Sequence, residues 1–276
     1  MTESAADAAQ PGGLTGPPSR GAAATKADRA PVRPGNPVPS ADVAAMFDDI
    51  APVYDRMNSL MTLGSDRGWR RAAVAATRLR PGDAVIDLAC GTGKLSAALA
   101  GRVGPFGRVL GVDLSPGMVE RARREYPDLV QLSFVVGDAL RSPAQSGEFD
   151  AATIAFGLRN LPDFEAGFRE LRRVVRPGGR VVCLELSWPR PRILGRLYHD
   201  VFRRSAPLLG SLFRRRQAYE YLPRSLEGFP DAESLAATMR RAGLVDVTFR
   251  RLAFGSVALH VGVVPQPGET AQAVPA

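Results

Sequence analysis

The run Val85-Ile86-Asp87-Leu88-Ala89-Cys90-Gly91-Thr92-Gly93 constrains this chain more than any other stretch. An apolar segment ends near an acid and small residues follow. Leu95, Ala98 and Leu99 then recur at helical spacing. That order predicts a buried strand, a tight turn and a helix start, the opening unit of an α/β fold. Gly91 and Gly93 lack the Cβ that would obstruct a left-handed turn or the close approach of a ligand. The first turn of the helix leaves N–H groups unpaired, which favours an anionic group in front of it. The spacing is not Gly-x-Gly-x-x-Gly and no Gly-Lys-Ser/Thr follows, so a dinucleotide site and a P-loop are both disfavoured.

Two further strand ends repeat the arrangement. Arg108-Val109-Leu110-Gly111-Val112-Asp113 reads as a strand closing on an acid that can accept from both hydroxyls of a ribose. Ser115-Pro116 then supplies an N-cap and a proline at the first helical position. Leu132-Ser133-Phe134-Val135-Val136 leads to Gly137-Asp138-Ala139, where an acid can accept from an adenine amino group. Singly, each acid suits a cap or a solvated loop. Asp87, Asp113 and Asp138 together point to one extended nucleoside ligand. The motif Asp87-x-Ala89-x-Gly91-Thr92-Gly93 resembles the first motif of class I S-adenosylmethionine (AdoMet) methyltransferases.

The chain has 276 residues, enough for one α/β domain with appendages. Residues 1–40, rich in Ala, Pro and Gly, are expected to be a disordered tail, with the domain over 41–264 and a flexible tail over 265–276. No apolar run is long enough for a transmembrane helix, and the N-terminus lacks the pattern of a secretory signal. Cys90 and Cys183 fall in or near strands and read as reduced thiols of a cytoplasmic protein. No Cys/His cluster has metal-ligand spacing, so no metal is expected. The net charge of +8 suits nucleic acid or an anionic membrane without choosing between them.

Residues 41–79 read as two helices ahead of the first strand, carrying Val43, Met46, Phe47 and Ile50 on one face. This segment could cover the ligand site; Trp69 reads as an anchor on the sheet. A fourth strand, Ala151–Ala155, runs into Phe156-Gly157-Leu158-Arg159-Asn160, at the strand ends where such sheets hold their ligands. Asp163 caps a helix that Arg176-Pro177-Gly178-Gly179 stops, and Arg180–Leu186 is the fifth strand. Residues 188–228 break the rhythm with aliphatic residues and arginines interleaved. This basic amphipathic insert reads as a helical lid, and 188–216 could also touch a membrane surface. Asp231 caps the last helix, Gly243 ends it, and two strands, Leu244–Arg250 and Ser256–Val261, form an edge hairpin.

Three blocks outside the general motifs identify a family. They are Phe47-x-x-Ile50-Ala51-x-x-Tyr54-Asp55-x-Met57-Asn58, then Phe156-Gly157-Leu158-Arg159-Asn160, and Tyr219-x-Tyr221-Leu222-Pro223-x-Ser225 with Ala258-Leu259-His260-x-Gly262. From about Phe47 to Gly262 the chain resembles the ubiquinone/menaquinone biosynthesis C-methyltransferases. The resemblance implies a Rossmann-like, seven-stranded, mostly parallel sheet of order 3-2-1-4-5-7-6 with the last strand antiparallel. It implies AdoMet as cofactor, held by Thr92, Asp113, Asp138 and Ala139 beside Asp87, Gly91, Gly93 and Ala155. The implied reaction is methylation of a ring carbon of a polyprenyl quinol, by an enzyme that is cytoplasmic or peripheral to a membrane and could be a homodimer. Two positions depart from the family pattern: Lys94 stands where an acid is common after Gly-Thr-Gly, and Ala155 where a serine is common. Lys94 lowers the negative charge near a sulfonium, and Ala155 lacks a hydroxyl contact.

Methyl transfer from a sulfonium is an in-line displacement that needs alignment and a dry pocket. The accepting carbon must belong to the electron-rich quinol, and a nearby positive charge eases loss of its phenolic proton. Arg159 is the expected phenolate stabiliser, since its charge is permanent; an ion pair on the loop is the plainer alternative. Asn160 is expected to orient a hydroxyl or a water, and His260 or Tyr221 to relay the proton. Three rival readings stay open: a methyltransferase of the same fold acting on another metabolite, an RNA methyltransferase, and a non-catalytic AdoMet- or quinone-binding scaffold. The basic stretch lacks stacking aromatics, so nucleic acid is not expected.

Overall fold

The computed structural model describes residues 38, 40–51, 54–62, 64–189, 225 and 228–268. The first strand, β1 (Ala84–Leu88), sits inside a seven-stranded sheet, flanked by β2 (Arg108–Asp113) and β4 (Phe149–Ala155). Both faces of β1 are covered, which is why it reads as a continuous apolar run rather than an alternating one. With β3 (Leu132–Val136), β5 (Val175–Leu186), β6 (Val245–Leu252) and β7 (Val257–Val263), the order is β3-β2-β1-β4-β5-β7-β6. β7 alone runs antiparallel to its neighbours, so the expected sheet order and direction are both found.

Helices cover both faces. On one face Ile86, Leu88 and Ile154 pack with Phe168, Leu171 and Met239 of α6 (Phe164–Val174) and α7 (Ala232–Arg241). On the other, Val85, Val109 and Val182 meet Leu99 of α4 (Lys94–Val103) and Ala73 and Trp69 of α3 (Asp66–Thr77). Trp69 also lies against Phe156, with ring centroids 6.1 Å apart, so it anchors α3 where the sequence placed an anchor.

The capping signals decide where the helices begin. Ser115 Oγ accepts from the Met118 N–H at 3.0 Å at the start of α5 (Pro116–Glu125). Asp163 and Asp231 each accept from the N–H three residues on, both at 2.9 Å. Gly243 follows α7 in the left-handed conformation, at φ +88°.

Two details differ from the sequence reading. Three helices precede β1, not two: α1 (Ser40–Ile50), α2 (Tyr54–Met61) and α3. Gly64, at φ +75°, turns the chain between α2 and α3 in a segment that periodicity alone ran together. The segment Arg176–Gly179 does not separate α6 from the fifth strand. β5 begins at Val175, paired with Phe149, and the register then jumps so that Arg180 pairs with Ala151. The intervening residues form a bulge between β4 and β5. The insert over 190–224, with Tyr219 and Tyr221, and the tails over 1–37 and 269–276 lie outside the described residues. Among the described residues no helix is long and apolar enough to cross a membrane.

Candidate active site

A cleft partly open to solvent lies over the C-terminal ends of β1, β2 and β4. Its floor is the turn after β1, its far wall the residues that follow β2 and β3, and its roof α1 and α2. This is the end of a doubly wound sheet where the N–H groups of following helices face a ligand.

Three carboxylates in different surroundings line the cleft. Asp87 is fully enclosed and accepts from Ser96 Oγ at 2.7 Å and Thr153 Oγ1 at 2.6 Å. Burial outweighs those two hydroxyls and pushes its pKa up to about 6. Asp113 takes the Gly91 N–H on Oδ2 at 2.8 Å and the Ser115 N–H on Oδ1 at 2.9 Å. Its pKa also rises, because burial outweighs those backbone donors. A carboxylate has about four acceptor sites, so Asp113 keeps capacity toward the cleft. Asp138 is exposed at the rim, accepting from the Leu140 N–H, beside buried Ala139. Between Asp113 and Asp138 the lining is apolar, with Leu114, Met118 and Ala139. Cys90 also lines the cleft, but burial and the nearby Asp113 and Asp87 charges keep its thiol protonated.

Of the expected cofactor residues, Asp87, Gly91, Thr92, Asp113, Asp138, Ala139 and Ala155 line this cleft. Gly93 does not. A Cβ on Gly93 would stand 2.5 Å from Cζ of Phe134, at φ +81°, so this glycine is required by the ring of β3 packed on the turn. Gly157 has a similar reason: its Cβ would lie 2.5 Å from the Cβ of Ala89, where the loop after β4 crosses the turn after β1. Thr92 turns its hydroxyl away to Asp55 of α2, at 2.8 Å.

The roof holds the residues that sequence reasoning left without assigned roles. Val43 and Phe47 of α1 and Tyr54 and Asn58 of α2 line the cleft. Phe47 packs edge-on to Tyr54 with centroids 5.8 Å apart. Asp48 reaches from α1 to the start of α5, accepting from Ser115 Oγ at 2.5 Å and the Gly117 N–H at 2.8 Å. Burial raises the Tyr54 pKa, against the opposing charge of Arg159 and a hydrogen bond with Asn58. The sequence marked this segment as a possible cover and its Phe47–Asn58 block as part of the family pattern, but amphipathic spacing does not say which face a roof helix presents.

The expected catalytic residues separate. Asn160 lines the cleft, on a 3₁₀ turn over Leu158–Asn160. Arg159 is buried beneath it, 6% exposed, and its guanidinium is not part of the lining. Nη1 donates to Oε1 of Glu185 at 2.8 Å and to the Phe156 carbonyl at 2.5 Å. The other oxygen of Glu185, a side chain with no exposed surface, accepts the Arg159 N–H at 3.3 Å. The ion-pair alternative therefore describes where Arg159 sits, and a lone apolar-flanked glutamate in β5 gave no sign of it. His260 is not at the cleft. It lies inside the sheet on β7, in register with Cys183 and Phe249, with Nε2 2.9 Å from the Ala232 carbonyl. Burial lowers its pKa and keeps the ring neutral. That contact ties the start of α7 to β7. Tyr221 lies outside the described residues.

The donor set fits a nucleoside that carries a sulfonium: acceptors at two strand ends with an apolar stretch between them. Comparison with known proteins agrees. The family model for the ubiE/COQ5 methyltransferase family matches residues 36–264. Demethylmenaquinone methyltransferase of Mycobacterium marinum is 42% identical over 227 residues, spanning 82% of this chain and 95% of that protein. The protein of the same name from Beutenbergia cavernae is 45% identical over 222 residues, spanning 79% and 89%. Among solved structures, a putative methyltransferase bound to the Trm112 activator of Haloferax volcanii superposes with a TM-score of 0.59 at 22% identity, over 80% of this chain and 98% of that one. A SAM-dependent methyltransferase of Thermotoga maritima gives 0.56 at 18% identity, over 80% and 99%; both share the fold. The chain belongs to the ubiE/COQ5 methyltransferase family.

Proposed function

We propose that this enzyme methylates a ring carbon of a reduced, demethylated polyprenyl quinol, with demethylmenaquinol as the substrate. The names of its relatives support the naphthoquinol. The observation that carries the reading is the junction of two regions in one cleft: the nucleoside-binding strand ends and the Phe156–Asn160 loop under an apolar roof. S-adenosylmethionine, when bound, supplies an electrophilic methyl group on a sulfonium. The chain supplies alignment and dryness. Asp113 and Asp138 hold the nucleoside, and Val43 and Phe47 close the cleft against water. Asn160 orients a ring hydroxyl. Tyr54, held protonated by burial, serves as a donor to a ring oxygen rather than as a base. Arg159 acts through the loop and through Tyr54, as a positioning residue paired with Glu185. Association with the cytoplasmic surface of a membrane, through the arginine-rich residues 188–216, suits a substrate with a polyprenyl tail.

The test is methyl transfer from labelled AdoMet to chemically reduced demethylmenaquinone and to the matching demethylated benzoquinol, with the oxidised quinones alongside. Label on the ring carbon of the reduced naphthoquinol alone is the expected result. Cofactor binding without transfer to either quinol would redirect the reading to another aromatic metabolite.

A further inference from the structure

Lys94 is the first residue of α4 and lines the cofactor cleft. The position is electrostatically unfavourable twice. A cation at a helix N-terminus opposes the helix dipole, and the first turn of α4 carries no acid to offset it. The same cleft takes a cofactor whose reactive atom is a sulfonium. The compensating charge comes from another element. Asp55 of α2, 14% exposed at its side chain, places Oδ1 3.1 Å from the Lys94 ammonium. The same oxygen accepts from Thr92 Oγ1 at 2.8 Å, and Arg121 Nε lies 3.7 Å from Oδ2. Arg70, also in the lining, is matched within its own helix, by buried Asp66 at 2.5 Å. Both cations of the cleft wall among the described residues are thus paired with carboxylates that belong to α2 and α3.

We propose that Asp55, by neutralising Lys94, is a specificity-determining residue that lets the cleft favour its cationic cofactor over the neutral thioether product. AdoMet and S-adenosylhomocysteine share the nucleoside and the amino-acid portion and differ at sulfur by one methyl group and one positive charge. A bare ammonium at position 94 penalises the first and hardly touches the second. A merely structural role for Asp55, clasping α2 to the glycine turn through Thr92, would weaken both ligands alike. The proposal rests on AdoMet being the cofactor, and a parent protein that bound neither ligand would overturn that reading instead.

The experiment is calorimetric titration of the parent, Asp55→Asn, Lys94→Met and the double variant with AdoMet and with S-adenosylhomocysteine, at low and high salt. The quantity read is the ratio of the two dissociation constants. In Asp55→Asn the ratio shifts about tenfold against AdoMet, and the shift shrinks as salt screens the half-buried ammonium. In Lys94→Met, which leaves Asp55 with the more distant Arg121 as its cationic partner, it shifts the other way; the double variant returns close to the parent value. An unchanged ratio in Lys94→Met, or equal weakening of both ligands in Asp55→Asn, would overturn the proposal. Lys94→Met keeps an unbranched stem of similar length and removes the charge of a half-buried ammonium, so it keeps the test open should Asp55→Asn fail to fold.

Discussion

At the scale of single residues, burial separates side chains that look alike in the sequence. Asp87 and Asp113 both lie in the last two residues of a strand, yet Asp87 is enclosed by two hydroxyls while Asp113 is tied by backbone N–H groups. The raised pKa of Asp87 has a definite sign for stability. Between its ordinary value of 3.8 and about 6 the folded chain holds a proton that the unfolded chain releases. The stability it contributes is therefore full below pH 3.8 and lost as pH rises through 6. Asp87→Asn should abolish that component, roughly 3 kcal/mol at most, in urea unfolding of the ligand-free protein across this range. Arg159 and Glu185 allow a different separation. Arg159→Met strands a buried carboxylate and should cost about 3–5 kcal/mol. Arg159→Met combined with Glu185→Leu should recover most of that stability while turnover with saturating AdoMet stays low. Recovery of both together would reduce the pair to scaffolding.

At the scale of elements, strand ends and caps were legible because each has a local physical cause. Ser115-Pro116, Asp163 and Asp231 satisfy helix N–H groups within three residues, and a sequence window contains the whole interaction. The role of β7 was not legible. His260 lies in a block that reads as functional, but its partners come from β5, β6 and α7, far apart in the chain. His260→Gln should leave kcat unchanged and lower Tm by a few degrees, the size expected for one buried hydrogen bond of ~1 kcal/mol. Neutral His260 contributes stability that is present above pH 6.5 and lost as pH falls through its lower folded-state value. Acid unfolding of the variant, followed by circular dichroism, should lack that component.

At the scale of the whole molecule, the basic balance of 36 Lys and Arg against 28 Asp and Glu meets a substrate that partitions into membranes. Sedimentation with vesicles should show binding to anionic bilayers that falls as salt rises, and little binding to zwitterionic ones. Removal of residues 190–216, replaced by a short Gly-Ser linker, should weaken that binding and leave the affinity for S-adenosylhomocysteine within about twofold, since the strand ends proposed to hold the nucleoside lie outside that segment. Equal vesicle binding by both proteins would move the contact elsewhere.

Alone, the sequence determined the sheet, its order as the family resemblance implied it, and the acids at its strand ends. Apolar runs, turns and caps act over a few residues, and the three blocks were specific enough to name the family. Tertiary structure alone decided which of the marked residues face the cleft. It buried Arg159 against Glu185, set His260 into the sheet, and gave Gly93 to the ring of Phe134. It also turned Lys94 from a departure into one half of a pair with Asp55. The reason is physical: the free energy of a charge depends on what lies within a few ångströms of it in space, and those neighbours come from helices and strands that the chain brings together only on folding.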